Sequence, residues 1–181
     1  GRLNKECNDE IRPTILLPLK RKVDFINSAE LKKIKEEEKI FETAMHSDEE
    51  IQEKQKTKYK GVYLSPENIE HEISYLKNSI MADSVLKLKK GALVMCVANI
   101  DMESENKIVN GSQGIVVDFD NNFPVVKFRN GVIRTMTPHI WLSERIPWVG
   151  IKQIPLILAW AITIHKACLL YTSDAADESV R

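Results

Sequence analysis

Between Leu86 and Leu142 the chain alternates apolar and polar residues with period two, in LKLKKGALVMCVANI and then in QGIVVDFDNNFPVVKFRNGVIRTMTP. That rhythm admits half-buried strands and excludes a helix, because successive side chains of a strand point to opposite faces. Asn130-Gly131 sits between PVVKF and VIRTM, where a two-residue type I′ turn would take positive φ at both centres. The block is therefore expected to fold as a small antiparallel barrel over roughly Leu86 to Leu142, with a hairpin at Asn130-Gly131.

The flanks have a different rhythm. Pro13 to Leu17 (PTILL) and Ile154 to Ile164 (IPLILAWAITI) are apolar on both faces, as in a central strand of a parallel sheet covered by helices. Val23, Ile26, Leu31 and Ile34 have helical spacing over Lys22 to Lys35, with Asn27 and Ser28 marking either a weak point or the cap of a second helix. Ile40 and Phe41 suit a short strand, and Ser47 to Lys58 reads as a solvated excursion. Ser65 followed by Pro66, then Ile69, Ile73, Leu76 and Ile80 three to four residues apart, predicts a capped helix to Met81. The chain is thus expected to enter an α/β unit, make a β insertion and return to the α/β sheet.

Charge and cysteine content bound the function. Lys plus Arg and Asp plus Glu are balanced at 26 each, so a nucleic-acid partner has to be held by local patches such as Lys20, Arg21 and Lys22, or Lys87, Lys89 and Lys90. Cys7, Cys96 and Cys168 have no C-x-x-C spacing, which argues against a disulfide framework or a zinc site and suits a reducing compartment. No apolar run reaches the roughly 20 residues of a membrane span, and the N-terminus has no signal-peptide core. Nucleus or cytoplasm is the expected location.

One spot combines several donors. A strand ending at Thr163, with a helix expected from Ile164 or His165, leaves free backbone N–H groups beside a hydroxyl, and His165 and Lys166 add donors in the same turn. A phosphate of a nucleotide or of a nucleic-acid backbone is suited to that arrangement. So is the plainer alternative, an ordinary capped helix with a surface Lys.

The run QIPLILAWAITIHKA resembles motif V of the Pif-type (petite integration frequency) DNA helicases of superfamily one, which reads Q-hydrophobic-P-L-x-L-A-[YW]-A-x-T-I-H-K-[SA]-Q-G. LKLKKGALVMCVANIDMESENKIVNGSQGIVVDF is similar to that family's K-x-G-A-x-V-M and V-N-G-x-x-G segments, and PTILLPLKRKVDFINSAEL to its motif IV region. The resemblance implies a partial RecA-like motor domain (residues 1–84 and 149–167) with an SH3-like β-barrel inserted at 85–148. It implies a parent, nuclear, mitochondrial or viral, that moves 5′ to 3′ on DNA with ATP and Mg2+ and serves DNA repair, recombination and telomere maintenance. It places Thr163, His165 and Lys166 on single-stranded DNA and brings Arg21 towards the nucleotide, although Leu19 and Lys20 depart from the family's usual T-N or S-K. Gly91, Gly111 and Gly114 are expected to be structural.

No G-x-x-x-x-G-K-[ST] phosphate loop occurs in the sequence, so the ATP-binding Lys and magnesium ligands are assigned to a preceding RecA-like domain of the same protein. This chain alone is not expected to hydrolyse ATP. After Ala167 the family's Gln-Gly is replaced by CLLYTSDAADESVR. Back-translated in one frame, its first part resembles a transposase adapter used in sequencing libraries, so 168–181 is expected to be a non-native tail in which Tyr171, Ser173 and Asp174 have no functional meaning. Two rival readings stand beside the helicase: a stand-alone SH3-like module binding protein or RNA without catalysis, and a RecD-type helicase, which shares T-x-H-x-x-Q-G but not Q-I-P-L-I-L-A-W.

Overall fold

The structure, a computed structural model, describes residues 11–48, 65–102 and 107–170. Strand β1 (Ile15–Leu17) leads into helix α1 (Lys20–Lys33), followed by β2 (Lys39–Glu42) and β3 (Ala44–Ser47). Helix α2 (Pro66–Ser79) precedes β4 (Val85–Leu88), β5 (Leu93–Cys96), β6 (Gln113–Asp120), β7 (Phe123–Phe128), β8 (Ile133–Thr135) and β9 (His139–Leu142). The chain returns through β10 (Val149–Gln153), β11 (Leu156–Leu158) and β12 (Ala161–Thr163), and is helical over residues 164–170. Most of the solvated excursion expected from Ser47 lies outside the described residues, as does the tail beyond Leu170.

Both helices follow from local sequence. Ser65 Oγ accepts from Asn68 N at 3.3 Å and Pro66 occupies the first turn, so α2 starts where the cap signal placed it. Its Ile69 and Ile73 pack on Ile146, Trp148 and Val149. Inside that contact the Ser143 hydroxyl donates to the buried Glu72 carboxylate at 2.7 Å and accepts from Arg145 N and Ile146 N, satisfying a carboxylate taken out of water. Helix α1 is continuous through Asn27 and Ser28, and Asn27 caps nothing. Its buried amide reaches across to β12 instead.

The period-two block does form strands, but they are shared among sheets. A five-stranded sheet has the order β11-β5-β6-β7-β8, β4 pairs with β2, and β9 joins β10 and β3. No closed barrel is present among the described residues, and the sheet is open at β8 and β11. The alternation established strands with one buried face; partners from outside the block, β2, β10 and β11, supplied the remaining pairing. Leu88, Val94, Val116, Val126, Phe128, Met136 and Leu156 form the core beneath this sheet.

The hairpin expected at Asn130-Gly131 is present, but its loop has three residues, and a two-residue turn occurs one hairpin earlier. Asp120 pairs with Phe123, and Asn121 and Asn122 between them have φ 47 and 66, so the tight primed-type turn lies there. At the second hairpin Gly131 N donates to Phe128 O and Phe128 N to Val132 O, which makes a three-residue loop in which Gly131 alone has positive φ, at 87. Gly114 has a different necessity: a Cβ there would lie 2.5 Å from Val126 Cγ1 and 2.8 Å from Lys127 O across the β6–β7 pair. Gly114→Ala should therefore lower stability by about 2–3 kcal/mol, measured by urea unfolding, because a backbone oxygen has to move. An unchanged midpoint would show that the two strands are not this close.

The apolar run Ile154 to Ile164 is two strands, not one. Leu156–Leu158 pairs antiparallel with β5 in the five-stranded sheet, whereas Ala161–Thr163 pairs parallel with β1, Ile15 opposite Ala161 and Leu17 opposite Thr163. The break at Ala159 and Trp160 is bridged by Ala159 N to Leu93 O and Ile15 N to Trp160 O, both 2.9 Å. Continuous apolarity marked burial on both sides correctly; the two sides belong to different sheets.

Candidate nucleic-acid interface

Because β1 and β12 are parallel, their carboxyl ends open at one edge, the position where ligands of α/β sheets collect. A cleft of about 350 Å³ lies there, walled by Lys20, Asp24, Asp83, Thr163, His165 and Lys166 over an apolar floor that includes Ile157 and Ile162. Thr163, His165 and Lys166 are thus brought together. Thr163 Oγ1 accepts from Lys166 N at 3.1 Å, the bond of a helix N-cap, which leaves its hydroxyl proton to donate. His165 is exposed at the rim.

Lys166 is held. Its ammonium donates to Met81 O at 3.1 Å and meets Asp83 Oδ1 at 3.4 Å, with 27% of its side chain exposed. Arg21 faces elsewhere: it lines a separate depression with Leu17, Leu19 and Phe25, and Lys20 is the basic residue of α1 that reaches the Thr163 cleft. Helical spacing carries that signal, since Lys20, Asp24 and Asn27 share one face while Arg21 and Phe25 share the next. The first turn of α1 has no acidic residue and no side-chain cap, so three cations sit at the positive end of the helix dipole.

Two amides set the cleft's geometry, and no local pattern marked either. Asn27 Nδ2 donates to Ala161 O at 2.9 Å and Asn27 Oδ1 accepts from Ala161 N at 2.9 Å, a two-point clamp on the strand before Thr163. Gln153 Nε2 donates to Phe41 O at 3.1 Å and Asp83 O at 3.0 Å, and its Oε1 accepts from Ile154 N at 2.8 Å. Asp83 is thereby fixed from behind while its carboxylate faces Lys166.

Other candidate chemistry is thin. Cys96 is a core thiol whose pKa burial pushes up to about 11, so it stays protonated and inert. Among the described residues no group of His, Cys, Asp or Glu is arranged to hold a metal ion, and no helix is long and apolar enough to cross a membrane.

The family model described as "DNA helicase Pif1, 2B domain" matches residues 73–119, from within α2 into β6. ATP-dependent DNA helicase PIF1 of Xenopus laevis is 40% identical over 87 residues, covering 45% of this chain and 13% of that protein. The crystal structure of the Pif1 helicase from Candida albicans superposes with a TM-score of 0.64 at 26% identity, over 90% of this chain and 38% of that one. Bacteroides Pif1 bound to single-stranded DNA has the same fold, with a TM-score of 0.55 at 24% identity over 92% of this chain and 34% of that one. The fold and the matched sequence are those of a segment of a DNA helicase. Within that class the chain is similar to a fragment of the Pif1-type helicases, and it spans well under half the length of these relatives.

Proposed function

We propose that this chain is the strand-tracking part of an ATP-dependent 5′-to-3′ DNA helicase, acting inside cells, with single-stranded DNA crossing the cleft at Thr163, His165 and Lys166. The observation that carries this is the convergence of those three side chains with Lys20 at the carboxyl ends of two parallel strands. Hydroxyl, imidazole and ammonium donors there address phosphates and sugars, which positions a strand without reading its sequence. Residues 1–84 and 149–167 are read as the second RecA-like motor domain, 85–148 as its SH3-like insertion, and 168–181 as a tail with no part in the activity. ATP and Mg2+ would be held chiefly by the preceding RecA-like domain, towards which Arg21 is assigned from its exposed place on α1.

The stand-alone binding module is disfavoured on structural grounds. The edge strand β11 of the five-stranded sheet comes from Leu156–Leu158, directly before the motif V strand, so that sheet is not separable from the α/β part.

Lys166→Ala should weaken binding of a fluorescein-labelled oligothymidine and flatten the log–log salt dependence by up to about 0.7, the slope for one phosphate of a single strand. Thr163→Ala should weaken it as well, while preference among homopolymer sequences stays unchanged. Titrations by fluorescence anisotropy at several salt concentrations check this, and indifference to both substitutions would remove the cleft from the DNA path.

A further inference from the structure

We infer that the Asp83 carboxylate and a nucleic-acid phosphate compete for the Lys166 ammonium, so that a strand entering the cleft releases the strap of residues 81–84 from which the inserted sheet hangs. The inference rests on the reading of the cleft as a strand site and adds a coupling to it.

The strap lies between α2 and β4, and Lys166 holds it twice, through Met81 O and the Asp83 carboxylate. From the other side Gln153 holds Asp83 O and Ser84 O, and Thr43 N donates to Ser84 O at 2.9 Å. Directly after the strap, β4 sends the fully buried Leu86 and Leu88 into the core of the insertion. The position of Lys166 is therefore transmitted to the start of the inserted sheet over a few residues of backbone.

The ion pair is built to be broken. At 3.4 Å, with 27% and 44% of the two side chains exposed, it is a partly solvated pair of the weak kind. Asp83 stands in the same cleft wall as Lys20, Thr163 and His165, so a phosphate held by those donors arrives within reach of Lys166. An ammonium turned towards that phosphate leaves Met81 O and Asp83, and linkage requires the reverse effect: whatever weakens the Asp83 pair strengthens strand binding.

The test uses the 181-residue chain as it stands, with Asp83→Asn, Lys166→Ala and the double variant. Asp83→Asn should bind oligothymidine up to about fivefold more tightly at low salt, the yield of one exposed ion pair, and the gain should vanish in the Lys166→Ala background. Without DNA, amide exchange over residues 81–85 should be faster in Asp83→Asn than in the unsubstituted chain. Oligothymidine should speed the same amides in the unsubstituted chain and leave them unchanged in Lys166→Ala. A gain that survives Lys166→Ala, or a strap whose exchange ignores both substitution and DNA, overturns the competition while leaving the strand site standing. Failure of every variant to bind oligothymidine, with the exchange difference intact, overturns the strand site instead and reduces the pair to a structural tie.

Discussion

Asn27→Ala should lower the free energy of unfolding by about 3 kcal/mol, because it strands both main-chain groups of Ala161 in the interior. Ala161 is fully buried, and on this side its N–H and C=O meet only the Asn27 amide, each at 2.9 Å. Each orphaned group costs about 1–3 kcal/mol, far more than the few tenths that replacing Asn by a better helix former returns. Asn27→Asp separates the two halves of the clamp. It keeps the acceptor for Ala161 N but sets an anion against Ala161 O, so the carboxyl is favoured in its protonated form and its folded pKa lies above the unfolded one. Its contribution is then present below the ordinary Asp pKa and lost as pH rises through the folded value. Urea unfolding of both variants at neutral and acidic pH checks this; an alanine variant within about 0.5 kcal/mol of the parent would mean that water replaces the clamp.

Gln153→Leu is expected to cost about as much, roughly 2–4 kcal/mol, with a more distributed signature. The leucine retains the volume but leaves Ile154 N–H, a buried donor, without Gln153 Oε1, and leaves the carbonyls of Phe41 and Asp83 without the Gln153 amide, while Ser84 O keeps Thr43 N. Hydrogen exchange should accelerate on both sides of the lost side chain, at residues 41–43 and 83–85, while α2 and the β6–β7 hairpin keep their protection. Acceleration confined to one side would show that Gln153 belongs to a single element and does not join three.

What the sequence showed and what it hid divide along the range of the interaction involved. Ser65-Pro66, the alternation of β6 and β7, and the strand-to-helix turn at Thr163 are decided by neighbours within a few residues, and all were legible. Sheet membership was not. Leu156 and Ala161 read as one apolar run because burial on both faces looks alike whichever sheet provides it. The length of the second turn was hidden for a related reason: the register of β7 with β8, with Lys127 opposite Ile133 and Phe128 N donating to Val132 O, puts Arg129, Asn130 and Gly131 together in the loop. Asn27 and Gln153 were invisible because their partners are over a hundred positions away or spread over several segments. Thr163, His165 and Lys166 were read from spacing and resemblance and do line one cleft, whereas the engagement of Lys166 by Asp83 depends on a loop with no marking of its own.

The parallel pairing of Ile15 with Ala161 also fixes an order of assembly. The β6–β7 and β7–β8 hairpins close over short loops and need little chain to begin, whereas β1 has to wait for a partner made near the far end of the described chain. Closing so long a loop is entropically slow, and nothing is returned until β12 arrives. On a ribosome, the β6–β7 and β7–β8 hairpins would form before the strand that carries the cleft, so β1 waits as an apolar segment without its strand partner until β12 is made. Ile15 and Leu16, about half exposed even in the finished fold, are where an aggregation-prone or chaperone-held intermediate would be caught.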